Sequence, residues 1–118
     1  MIQHDNLIYI GQIAVFYIPI QKLSLEVNGQ TAETMFETFL MDNFNAYSVR
    51  FSDTKGFWRE HEKAKIFIDE NARYEVSFDG SERVKPFIDF LSNMCALLEE
   101  EAIYLVMGYQ SWLVTPRK

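Results

Sequence analysis

The sequence predicts an α+β fold: an antiparallel sheet of five to six strands with two helices packed on one face, in a ferredoxin-like, split β–α–β layout with an inserted hairpin. Three observations predict it. Lys63–Gly80 carries the period-2 alternation of half-buried strands, with Ile66 and Ile68 set against Lys65 and Phe67, then Tyr74, Val76 and Phe78 against Arg73, Glu75 and Ser77. Two stretches carry one-sided apolar stripes at helical spacing. The strand-like and helix-like segments also alternate in groups, with no repeat, low-complexity run or Pro/Gly/Ser-rich linker to divide residues 1–118 into more than a single domain.

Taken in order, Leu7–Ile20 is rich in β-branched and aromatic residues, with Gly11 as a bend and Pro19 ending the pairing. Both of its faces are apolar: Ile13, Val15 and Tyr17 on one, Ala14, Phe16 and Ile18 on the other. Such a strand is interior, or keeps one side for a partner. Lys22–Val27 alternates weakly and ends at the turn signal Asn28-Gly29. Thr31 caps a helix running to about Asn43, with Met35, Phe36, Phe39, Leu40 and Phe44 on its core stripe. Tyr47–Phe51 reads as a strand with one wet face, and Asp53–Gly56 as a turn. Phe57–Glu62 fits a short strand or an ordered loop equally well. Within Lys63–Gly80, Asp69–Ala72 reads as a four-residue hairpin turn.

The second helix starts near Val84, because Pro86 is tolerated only in a first turn, and runs to about Glu99. Phe87, Leu91, Met94, Cys95 and Leu98 form its core stripe. Ile103–Met107 is a last strand, apolar on both faces, interrupted by Gly108 and followed by Tyr109–Val114.

Composition narrows the function classes. A net charge of −6, with the eleven basic residues scattered, opposes a phosphate-tracking partner, so nucleic acid is not expected. A single cysteine forbids an intrachain disulfide and points to a reducing compartment. The first residues have no basic stretch before the apolar run, and no apolar run approaches a membrane span, so the cytoplasm is expected and no membrane partner.

No motif in the chain points to a metal or a cofactor. Two histidines and one cysteine form no ligand spacing, the five glycines form no phosphate loop, and Cys95 sits on a core stripe. No catalytic constellation emerges. The reading is therefore a small acidic, non-enzymatic protein-binding module, an inhibitor of the immunity-protein, antitoxin or phage-encoded type that occludes a basic protein partner. Its partner-binding candidates are Phe57, Trp58, Arg59 and His61 in one cluster and Tyr109 and Trp112 in a second, since Trp and Arg dominate interface hot spots. Surplus apolar residues on the sheet, Phe16, Ile18 and Val106 among them, point to a homodimer closing a bare sheet face. The alternative reading is a ferredoxin-like dimer that holds a small ligand between its sheets, as a sensor or a minor enzyme, with Tyr17, Tyr104, Trp58 and His61 lining the pocket.

Overall fold

A computed structural model describes residues 2–59 and 65–118, and of Ser52 and Asp53 only the backbone. The α+β class and the placement of the helices on one side of the sheet are as the sequence predicts. Strand β1, Gln12–Pro19, leads through a short 3₁₀ turn at Ile20–Lys22 into a two-stranded ribbon of β2, Glu26–Val27, and β3, Gln30–Thr31. Asn28 and Gly29 turn that ribbon with φ of 54° and 86°, the left-handed pair that a tight hairpin requires. Helix α1, Ala32–Phe44, starts where the Thr31 hydroxyl accepts from the Thr34 amide at 3.2 Å. Strand β4 is Ser48–Arg59, β5 is Ile66–Phe78, helix α2 is Val84–Leu97, β6 is Ile103–Met107 and β7 is Gln110–Val114.

The main sheet is five-stranded and antiparallel, in the order β4-β5-β1-β6-β7. The crossover β1–α1–β4 leaves β5 between its strands, and β5–α2–β6 leaves β1 between its own, so two split β–α–β units interleave. Register then fixes the faces. Ala14, Phe16 and Ile18 stand opposite Val76, Tyr74 and Ala72, and these six are buried under the helices. Val15 and Tyr17 stand opposite Glu75 and Arg73, on the side that no helix covers.

Aromatic rings bind the helices to the sheet. Phe16 stacks on Tyr74 with centroids 5.0 Å apart, and Phe36 of α1 and Phe87 of α2 pack against Phe16 at 5.7 and 5.8 Å. Phe39 of α1 stacks on Phe90 of α2 at 4.0 Å, joining the helices to each other. Burial holds the Tyr74 phenol far above its ordinary pKa, so it is neutral in the fold. Cys95 is fully buried, and burial, with Glu100 nearby, pushes its thiol up to about 11.

Several sequence-based expectations are corrected. The first strand begins at Gln12, not Leu7, because Gly11, at φ +111°, carries the chain tightly past the Phe78 carbonyl, where a Cβ would collide. Lys22–Val27 is mostly the 3₁₀ turn and its exit, with only Glu26–Val27 as strand. Neither Asp53–Gly56 nor Asp69–Ala72 is a turn. Both lie inside long strands, where Thr54, Lys55 and Gly56 pair with Asn71, Glu70 and Asp69. Their polarity marks a two-stranded extension of the sheet that has little core to face, with a register shift between Arg50 and Thr54. Helix α2 ends at Leu97, two residues before the acidic Glu99, which takes φ 56°. Phe16 and Ile18, expected on a bare face, are core residues with no exposed surface. Alternation alone could not say which of two apolar faces meets the helices.

Two outcomes are expected. Phe16→Ala should cost about 3–5 kcal/mol in urea melts, as for large aromatic truncations in a close-packed core. The Cys95 thiol should react with a disulfide reagent only as fast as the chain unfolds. Because the folded thiol keeps its proton to about 11 while an unfolded one releases it near 9.0, stability should fall as pH rises between those values.

Candidate functional site

Four strands each place polar or aromatic side chains on the uncovered face. Arg73 and Glu75 are two residues apart on β5 and so share a side of the strand. Their side chains meet, Arg73 Nη1 donating to Glu75 Oε1 at 3.0 Å, with both only part-buried. Neighbouring β1 sets Tyr17 opposite Arg73, and β4 on the other flank sets Ser48 opposite Glu75 and Arg50 opposite Arg73. Tyr104 of β6 closes the group, its ring 5.8 Å from that of Tyr17.

The electrostatics follow from this packing. Partial burial works against the Arg73 charge, but Glu75 and the Tyr17 hydroxyl, both hydrogen-bonding the guanidinium, outweigh it and hold the group above its ordinary pKa. Arg73 is a fixed cation with Glu75 and Tyr17 as its oriented partners. A 300 Å³ pocket opens beside this pair, lined by Ile10, Tyr47, Ser48, Glu75 and Ser77 among others. Its lining mixes an apolar wall with a carboxylate and the hydroxyl-bearing Tyr47, Ser48 and Ser77, the usual make-up of a small-molecule site. An arginine held in place can take a carboxylate bidentately, and the adjoining tyrosine faces suit a cation or a flat ring.

The residues singled out in the sequence are placed as follows. Tyr17 and Tyr104 come together on this face. Trp58 does not join them: it pairs with Phe67, six residues before Arg73 on β5, roughly 20 Å away at strand rise. There its ring stacks on Phe67 at 4.5 Å and its indole N–H donates to Asp69 Oδ2 at 2.9 Å. Phe57 and Arg59, opposite Ile68 and Ile66, are exposed on the same outer ribbon of β4 and β5. His61 lies outside the described residues. Tyr109 is fully exposed in the β6–β7 turn, and Trp112 is on β7 at the opposite edge of the sheet from β4, so the two clusters stay apart. Val106 is half-buried on the uncovered face opposite Val15.

Arg73 and Glu75 were missed as a site because each reads as a solvated position of an alternating strand. The signal that marks them is opposite charge at i and i+2, which puts both groups on one face. Among the described residues, no group of three or more His, Cys, Asp or Glu is arranged to hold a metal ion. No helix of the described chain is long and apolar enough to cross a membrane.

No family model and no curated protein matches the chain. Two solved structures do. A phage SAM lyase in complex with S-methyl-5'-thioadenosine superposes with a TM-score of 0.59 at 7% identity, covering 96% of each chain. A phage SAM lyase in its apo state gives 0.58 at 9% identity, covering 98% of each. The likeness is one of fold, and it runs from end to end. It overturns the reading of a non-enzymatic, occluding inhibitor, because the same layout over the same length is that of an enzyme.

The Trp58–Asp69 bond generates a local prediction. Asp69→Ala should speed amide exchange at 55–59 and 66–70 by about tenfold, the loss of one charge-assisted hydrogen bond of roughly 1.5 kcal/mol. Exchange in β1 and α2 should not change. Equal acceleration throughout would show that the ribbon is part of the global folding unit.

Proposed function

We propose that this chain is an enzyme that binds S-adenosylmethionine on the uncovered sheet face and cleaves it at the sulfonium. The observation that supports this most directly is the fold shared over the full length with a SAM lyase, one of whose structures holds S-methyl-5'-thioadenosine. That thioether is what S-adenosylmethionine leaves behind when its sulfonium parts from the amino-acid arm.

The chemistry asks little of a protein. The sulfur takes the electron pair of the carbon–sulfur bond and becomes neutral. As that bond breaks, either the substrate's own carboxylate attacks the same carbon and closes a lactone, or the neighbouring carbon gives a proton to water and an alkene forms. What the site must supply is shape, charge placement and exclusion of water. Arg73 is placed to pair the substrate carboxylate, and Glu75 to hold Arg73 in line or to take the substrate ammonium. Tyr17 and Tyr104 offer ring faces to the sulfonium, whose charge disappears in the reaction. The chain's net charge of −6 draws a cationic substrate toward it.

The test is to incubate the purified chain with S-adenosylmethionine and follow products by proton NMR. S-methyl-5'-thioadenosine should appear in equal amount to a four-carbon product, whose identity as lactone or alkene assigns the route. Arg73→Ala and Glu75→Gln should each lower the rate on the order of 10²-fold, as for loss of one preorganised charge contact, with melting temperature nearly unchanged. Binding without turnover would make the chain a sensor. Absence of both binding and turnover would overturn the proposal.

A further inference from the structure

The charges of this chain are unevenly spread. It has eleven basic and seventeen acidic residues, yet none falls between Leu7 and Gln21 or between Ala102 and Pro116. The second of these stretches contains β6 and β7, and β7 is an edge of the main sheet. Edge strands invite pairing with another chain, and proteins that stay monomeric guard them with charge, proline or a register break. The opposite edge, β4, is guarded in this way, by Arg50, Lys55 and Arg59 and by the shift after Arg50. Strand β7 has no such guard, and it exposes Trp112 by 51% and Leu113 by 69%.

Behind β7 lies an apolar groove of 360 Å³, lined chiefly by Val84 and Ile88 of α2, Met107, Trp112 and Val114. Helix α2 packs on the C-terminal end of β7, where Val114 is buried and its carbonyl accepts from the Cys95 thiol at 3.6 Å, and the groove opens between α2 and the exposed remainder of the strand.

A matching element lies elsewhere on the chain. Leu7, Ile8, Tyr9 and Ile10 precede β1, and are 59%, 87%, 57% and 62% exposed. Beyond the Leu7 amide, which donates to the His4 carbonyl at 3.0 Å, their backbone makes no hydrogen bond among the described residues. Four consecutive bare apolar residues with β-branched and aromatic side chains and no internal bonding are a strand without a sheet. In its own chain this segment lies toward the other flank, where Ile10 lines the pocket beside Ser48 and Glu75.

We infer that Leu7–Ile10 of one copy adds to the β7 edge of a second copy, with alternate side chains filling the groove over Trp112. The contact is a strand addition: main-chain hydrogen bonds extend the sheet and the groove reads the side chains. It is head-to-tail, so it closes as a ring or runs on as a chain, and it differs from a symmetric dimer built on the sheet face. It rests on no premise about the substrate, although Ile10 of the donor segment also lines the pocket beside Glu75.

The test uses the full chain and two single variants. Ile8→Asp puts a charge on the donor segment at a position too exposed to matter for folding, and Trp112→Lys puts one at the acceptor groove. By light scattering after gel filtration, the unchanged chain should be a multimer and each variant a monomer with unchanged circular dichroism. Mixed in equal amounts, the variants should form a one-to-one dimer, because the Trp112→Lys chain keeps its donor segment and the Ile8→Asp chain keeps its acceptor edge. A monomeric unchanged chain, a multimeric Ile8→Asp chain, or variants that fail to associate on mixing would each overturn the inference.

Discussion

The stack of Phe16 on Tyr74, with Phe36 and Phe87 packed around it, is the contact on which the rest of the structure depends. It joins the two middle strands of the sheet to both helices at once, and so decides which side of the sheet is the core. Once that side is chosen, parity does the rest. Every odd-numbered residue of β1 and β5 must face away from the helices, which collects Tyr17, Arg73 and Glu75 on one surface without any local motif calling for it. A second ring pair, Phe39 of α1 on Phe90 of α2, holds the helices at stacking distance from one another.

Much of this fold was legible in the sequence, and the reasons are local. The stripe Met35–Phe44, the Thr31 cap, the Asn28-Gly29 turn and Pro86 in a first turn each act within a few residues, where spacing alone carries the information. The errors fall where the deciding partner is far away in sequence. Asp69–Ala72 looks like a turn because three polar residues run together, yet each is held in a strand by a residue of β4 some fifteen positions earlier. Phe16 and Ile18 could not be told from Ile13 and Tyr17 as core, because β1 is apolar on both sides and only the register with β5 separates them. The site was less legible still. It takes Tyr17, Ser48, Arg73, Glu75 and Tyr104 from four strands, and none of them is unusual among its sequence neighbours.

The absence of catalytic spacings does not by itself make a chain non-enzymatic. Motif logic works when chemistry needs a nucleophile, a metal or a phosphate loop at fixed offsets. A reaction driven by the departure of a neutral thioether from a sulfonium needs none of these. It needs a surface that holds the two ends of the substrate and a place where a positive charge can vanish. An arginine flanked by a carboxylate and two tyrosine rings fits that requirement while looking, residue by residue, like ordinary strand surface.

Charge is distributed unevenly over the sheet. The β4–β5 half of the bare face carries Arg50, Arg73 and Glu75, so apolar association there would take charged groups out of water, at a cost of several kcal/mol per ion. The β6–β7 side carries no charge between Ala102 and Pro116. Exchanging these characters would disable both: a lysine on β7 would guard the edge, and an apolar residue in place of Glu75 would free Arg73 from its orienting partner. On the two proposals, one face of the sheet would recognise a small charged molecule through side chains and the β7 edge would recognise a second copy through backbone.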